Sequence, residues 1–295
     1  TPYSGEGIHV NLRGTTIIPA ATAMLLNSVI DSNIIGAADD ATLGNAGAGV
    51  VVALSENTLL QTFDLTDNEI GNNGGNGISF NRIDDAVING VTVADNIVTL
   101  NGGSGYHINA ANGTLDVLDF QLLNNEFTEN TLAGVLLETE ADAVVSTDII
   151  GNLIDSNGTD GIHLDGLENT ATDLENQGGL WVGNTVTNNG EHGMLINSVS
   201  GVDIPLIIGQ NGVDANGDSL GNVIEFNGFD GIEMNGAGYV EVTNNLIARN
   251  GINALNDITQ GGGLDVNADG VGLRSVVLVN NVIEDNRGDG VELLS

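Results

Sequence analysis

Apolar and polar positions in this chain follow a recurring string. From Asn222 to Met234 the residues read NVIEFNGFDGIEM, or N-x-I-x-x-N-x-x-x-G-I-x-Φ with Φ apolar. The string returns at Asn68–Phe80, Asn125–Leu137, Asn152–Leu164, Asn184–Ile196 and Asn281–Leu293, and at Asn96–Ile108 with Tyr106 after the glycine. Gly77, Gly105, Gly134 and Gly161 fall 27 to 29 residues apart. A fixed period in this range marks a solenoid, in which each repeat buries its apolar side against its neighbours.

Each period carries three short strands. A G-Φ-x-Φ strand starts at Gly7, Gly49, Gly77, Gly105, Gly134, Gly161, Gly193, Gly231, Gly263 and Gly290. Strand side chains alternate between faces, so its two apolar residues point inward and the one between them points out. A second strand centres on N-x-Φ (Ile70, Val98, Phe127, Ile154), and a third precedes it (Phe63/Leu65, Val91/Val93, Leu118/Phe120). Three short strands per turn, broken by Asn and Gly and without a 3.6-residue period, predict an all-β chain: a parallel β-helix of about ten coils forming one domain over residues 1–295. Asn73, Asn101, Asn130, Asn157, Asn189, Asn227, Asn250 and Asn286 share one position. Asparagine tolerates a left-handed corner, and stacked amides can hydrogen-bond up the column, so these residues are expected to form a ladder. Both ends of the chain fall inside a repeat, which suggests a piece of a longer chain or copies that stack end to end through open strand edges.

On these repeats nearly the whole chain resembles right-handed parallel β-helix proteins of the pectate-lyase-like fold, of the short parallel β-helix repeat type. The resemblance implies a right-handed solenoid. The group includes polysaccharide lyases, hydrolases and epimerases alongside non-catalytic surface proteins and adhesins, and a fold does not choose among them. Its lyases pair Ca²⁺-binding carboxylates with an arginine or lysine base. This chain has no lysine, Arg82 falls two coils or more from Glu138, and the epimerase-type Tyr-Gly-x-Asp-Pro-His string is absent.

Charge narrows the partners. Forty acidic residues against five arginines give a net charge of −35. Such a surface repels nucleic acid and anionic membranes and calls for a medium whose cations screen it. The chain lacks cysteine, and its apolar run Ile17–Leu26 is too short to span a membrane. Few aromatics leave a core of stacked aliphatics. An extracellular or cell-surface setting follows as an expectation.

The outward positions of the G-Φ-x-Φ strands carry the candidate chemistry. They run His9, Val51, Ser79, His107, Leu136, His163, Leu195, Glu233, Asp265, Glu292, and two residues on they run Asn11, Ala53, Asn81, Asn109, Glu138, Asp165, Asn197, Asn235, Asn267, Leu294. Glu138 and Asp165 become neighbours about 5 Å apart, a spacing that suits a retaining glycosidase, with His163 beside them. Glu233, Asp265 and Glu292 stack on consecutive coils. Crowded carboxylates need a cation, a raised pKa or an outward splay, and clustered oxygens suit Ca²⁺. Two loops have partial Ca²⁺ spacing: Asp265, Asn267 and Asp269 in DVNADG, and Asp214, Asn216 and Asp218 in DANGDSLGNVIE, which ends on Glu225. The long insertions 166–179 and 198–221 follow this strand on neighbouring coils and could rim a cleft. The four histidines lack metal spacing and read as surface residues. Arg287-Gly288-Asp289 is explained by the repeat corner it occupies. The expected function is an extracellular acidic β-solenoid serving as a structural or adhesive surface scaffold stabilised by Ca²⁺. The first alternative is a polysaccharide-processing lyase, hydrolase or epimerase, or a carbohydrate-binding module. The second is a subunit of an end-to-end filament.

Overall fold

The G-Φ-x-Φ strands do pair, each with the one a coil away. A computed structural model describes residues 5–12, 23–36, 44–54, 58–82, 87–110, 118–140, 145–167, 177–197, 205–235, 239–252, 261–267 and 275–294. Every regular element among them is a β-strand. Ten such strands, from Ile8–Leu12 to Val291–Leu294, form one parallel sheet in coil order. The N-x-Φ strands make a nine-stranded parallel sheet, and the strands preceding them a second. The described residues form a parallel β-helix whose ten-stranded sheet runs in coil order from Ile8–Leu12 to Val291–Leu294. A further sheet of three strands, Ala23–Leu25, Thr58–Leu60 and Val87–Ile88, was not legible in the repeat.

Inward side chains fill the lumen. Val50, Ile78, Val135, Ile162 and Ile232 from one sheet meet Ile70, Val98, Ile154 and Ile247 from another, all fully buried. The expectation of a purely aliphatic core needs correction. Phe63, Phe80, Tyr106, Phe120 and Phe127 cluster in the early coils, with Phe80 at 5.7 Å from Phe63 and 5.5 Å from Phe120. Few aromatics in the sequence thus means concentrated, because large rings fill the lumen where strands from three sides converge on one coil.

Asparagine columns pin the corners, and the described residues form two. In the expected column each amide Nδ2 donates to the Oδ1 of the next, as in Asn130 to Asn157 and Asn157 to Asn189, both at 3.0 Å. A second column, through Asn68, Asn96, Asn125, Asn152, Asn184, Asn222 and Asn245, repeats the geometry. The same Oδ1 also accepts a backbone N–H, so one side chain satisfies several buried groups. The left-handed backbone is not at the ladder residue but just before it, at Leu100, Glu129, Ser156, Phe226 and Arg249. Even residues poorly suited to positive φ are held there, because the amide column fixes the turn.

The strand glycines answer to close packing. A Cβ on Gly161 would lie 2.4 Å from Val186 Cγ1 and 2.6 Å from the Gly193 carbonyl oxygen. The corner therefore runs directly into the G-Φ-x-Φ strand, and the residue before each glycine sits at the edge of the ten-stranded face.

Candidate functional site

The outer face of the ten-stranded sheet has the predicted register. His107 pairs with Leu136, Leu136 with His163, His163 with Leu195, Leu195 with Glu233, Glu233 with Asp265, and Asp265 with Glu292. Glu138 pairs with Asp165, and both are half-buried. Two polar networks are built on this frame.

The first centres on Glu138. Its Oε2 lies 2.6 Å from His107 Nε2 and within 3.5 Å of Asn109 Nδ2. His107 Nδ1 lies 2.9 Å from Asn76 Nδ2. Asn76 Oδ1 accepts the Ser104 backbone N–H, which fixes the orientation of that amide. Asn76 therefore donates to Nδ1, and the ring proton sits on Nε2 and donates to Glu138. Oε2 is thus occupied and Oε1 is free of these partners. Facing it, burial raises the pKa of Asp165; His163 opposes the rise and the Glu138 charge adds to it. One carboxylate is oriented by a histidine, and the other holds its proton to higher pH.

The second network centres on His192, in the corner before Gly193. Its Nδ1 lies 2.9 Å from Asp160 Oδ1 and its Nε2 2.6 Å from Glu233 Oε2, with Asp230 Oδ2 at 3.8 Å. Both ring nitrogens face carboxylates, so both donate. Burial would lower the His192 pKa, but hydrogen bonds and charge from Asp160 and Glu233 prevail and push it up to about 10. Asp160 is 2 % exposed. Burial would raise its pKa, but bonds from His163 and His192 hold it down at about 2. His163 Nδ1 takes the other Asp160 oxygen at 3.1 Å. Asp230 Oδ1 accepts the backbone N–H groups of Gly261 and Gly262. Glu233 Oε1 accepts from Asn235 Nδ2 at 2.6 Å. The His192 bond, followed by opposing burial, sets the Glu233 pKa low. Asp265, one strand on, is pushed up to about 6 by burial and then by the charges of Asp230, Glu292 and Glu233. Its Oδ1 is buried without a hydrogen-bond partner.

Several expectations change. The histidines are not simple surface residues: the side chains of His107, His163 and His192 are 15 %, 21 % and 12 % exposed, and each holds a carboxylate. His163 turns to Asp160. Glu138 and Asp165 come together, and so do Glu233 and Asp265, with Glu292 in register beyond them. Asn267 pairs in register with Asn235, whereas Asp269 lies outside the described residues, as do most of 166–179 and part of 198–221. Asp214 is exposed and spends Oδ1 on the N–H groups of Asn216 and Asp218, while Glu225 faces Arg249 Nη1 at 2.7 Å. The sequence reading missed His107 as the partner of Glu138. It also missed the cation beside Glu233. The available signal was the column just before the strand glycine, where Asp160, His192 and Asp230 follow one another on consecutive coils.

No protein-family model matches the chain, and no curated protein matches it. Among solved structures it is similar to the A-module of the Azotobacter vinelandii mannuronan C-5 epimerase AlgE4, at 16 % identity and TM-score 0.46, over 100 % of this chain and 89 % of that one. The A-module of the same organism's AlgE6 gives 16 % identity and TM-score 0.44, over 93 % and 87 %. A D317A variant of the periplasmic alginate epimerase AlgG gives 14 % identity and TM-score 0.38, over 100 % and 75 %.

Proposed function

We propose that the protein processes an uncharged polysaccharide on its ten-stranded face, cleaving glycosidic bonds with retention through Asp165 and Glu138. The observation that carries this reading is the in-register Glu138/Asp165 pair, one member oriented by His107 and the other with a pKa raised by burial. Carboxylates on adjacent strands, about 4.8 Å apart at the backbone, suit double displacement rather than attack by an intervening water. Asp165 protonates the glycosidic oxygen while Glu138 Oε1 attacks the anomeric carbon. The C–O bond breaks, the leaving sugar departs as an alcohol, and the retained sugar is esterified to Glu138. Ionised Asp165 then takes a proton from water, whose oxygen displaces Glu138. Asn76 and His107 act by holding Glu138 in place.

Charge selects the substrate class. At a net charge of −35 a polyanion is repelled, whereas a neutral glycan meets amides and carboxylates that bind hydroxyls. An extracellular setting suits such a substrate. No helix among the described residues is long and apolar enough to cross a membrane.

The test is release of reducing ends from a panel of neutral polysaccharides, with the product anomer followed by NMR. Glu138→Gln and Asp165→Asn should each lower turnover by about 10²–10⁴-fold. Turnover indifferent to both substitutions would refute the assignment. Polysaccharide binding without turnover, together with a Ca²⁺-specific rise in unfolding temperature that Mg²⁺ does not reproduce, would instead support a Ca²⁺-stabilised scaffold or carbohydrate-binding module.

A further inference from the structure

The His192 corner does more than neutralise charge. Three side chains from two successive coils each have one polar atom tied down and the other turned to a common point. His192 Nδ1 is held by Asp160, leaving Nε2. Asp230 Oδ1 is held by two backbone N–H groups, leaving Oδ2. Glu233 Oε1 is held by Asn235, leaving Oε2. The three remaining atoms lie within 4.8 Å of one another. The Asp265 carboxylate borders the group, its Oδ1 buried and without a partner. Metal sites are built this way: a carboxylate fixes the tautomer of a ligating histidine, and further hydrogen bonds orient the ligating carboxylates.

We propose that His192, Asp230 and Glu233 bind a divalent transition ion, Zn²⁺ or Mn²⁺, through Nε2, Oδ2 and Oε2, with Asp265 beside them as a fourth oxygen donor. The ligand set decides the metal class. One imidazole among carboxylates suits Zn²⁺ and Mn²⁺, whereas Ca²⁺ takes six to eight oxygens. Asp160 is not a ligand, because its oxygens are committed to His192 and His163. On binding, the Nε2 proton leaves for solvent and the ion takes its place between His192 and Glu233. The ion would link the corners of two coils to the outer face, independently of the glycosidase reading.

Chelator-stripped protein is titrated by calorimetry with Zn²⁺, Mn²⁺ and Ca²⁺ separately, and bound metal is counted after dialysis. The expected result is one equivalent of Zn²⁺ or Mn²⁺ and none of Ca²⁺. Asp230→Asn should abolish retention, and Asp160→Asn should weaken it about 10–100-fold through loss of ring orientation. Asp119→Asn, an exposed carboxylate remote from the corner, should change nothing. If the corner variants fail to fold, imidazole ¹⁵N spectra of the unaltered protein decide: metal should move the His192 Nε2 resonance and leave His9 unmoved. No retained equivalent, retention unaffected by Asp230→Asn, preference for Ca²⁺, or an unmoved His192 signal would each overturn the proposal.

Discussion

The asparagine columns inside the solenoid and the outer face of its ten-stranded sheet have the same spacing, one residue per coil, and opposite uses. Inside, position after position is the same residue, and each amide satisfies its neighbour. Outside, the residue changes at every coil: His163, Leu195, Glu233, Asp265, Glu292. A column of identical amides is self-sufficient, whereas a column of unlike groups leaves charge that neighbouring residues, a proton or a ligand must balance. Repetition thus marks what holds the molecule together, and departure from it marks where chemistry can occur.

The contrast is sharpest if one rung is removed from the interior. Asn157→Ala takes the acceptor from the Asn130 backbone and side-chain N–H groups and a donor from the Phe127 carbonyl. Buried groups left unsatisfied cost about 1–3 kcal/mol each, so this should be the largest single loss, read as a lowered denaturation midpoint. A neutral outcome would mean that the columns are ornamental and the strands alone set the coil. On the face, His192→Ala leaves Asp160 and Glu233 without their shared cation. Breaking a buried pair in this way costs about 3–5 kcal/mol. His192→Gln should recover part of that by keeping a donor, and a loss equal to that of His192→Ala would show that charge rather than hydrogen bonding matters. Smaller again is Gly161→Ala, where the new methyl must push aside Val186 and the Gly193 carbonyl, costing about 1–3 kcal/mol in thermal unfolding.

The division also explains what the sequence disclosed. The outward register from His107 to Glu292, the pairing of Glu138 with Asp165 and one asparagine column follow from strand alternation and a fixed period, because in a solenoid the neighbour of a residue is its equivalent a coil later. The partners of His107 and Glu233 were hidden for the complementary reason. Asn76 and His192 stand in the corner, and they reach the sheet face only because the chain turns straight into the strand at Gly77 and Gly193. Corner geometry depends on φ, and the positive-φ residues here include Leu100 and Phe226, which announce nothing in sequence. A period places residues along the axis, but it does not say which neighbouring columns touch.

The weakest effect tests the face most delicately. Asp165 has a pKa raised first by burial, then by Glu138. A carboxyl whose pKa is higher folded than unfolded stabilises the fold below its unfolded value, and that contribution fades as pH rises through the folded value. Asp165→Asn, which cannot ionise, should therefore match the parent protein in acid and exceed it at neutral pH. The gain should stay below about 1 kcal/mol, since the group is partly exposed and its charge is screened. Set against the expected loss of turnover, the substitution separates two readings of the same residue. A solvated carboxylate would change neither stability nor activity, and a structural one would lose stability. Only a group whose charge the fold disfavours gains stability at neutral pH when made neutral while activity collapses, the trade expected where such a group is retained for function. Denaturation midpoints of both proteins from acid to neutral pH would show it. A midpoint for Asp165→Asn below that of the parent at neutral pH would remove Asp165 from the acid's role.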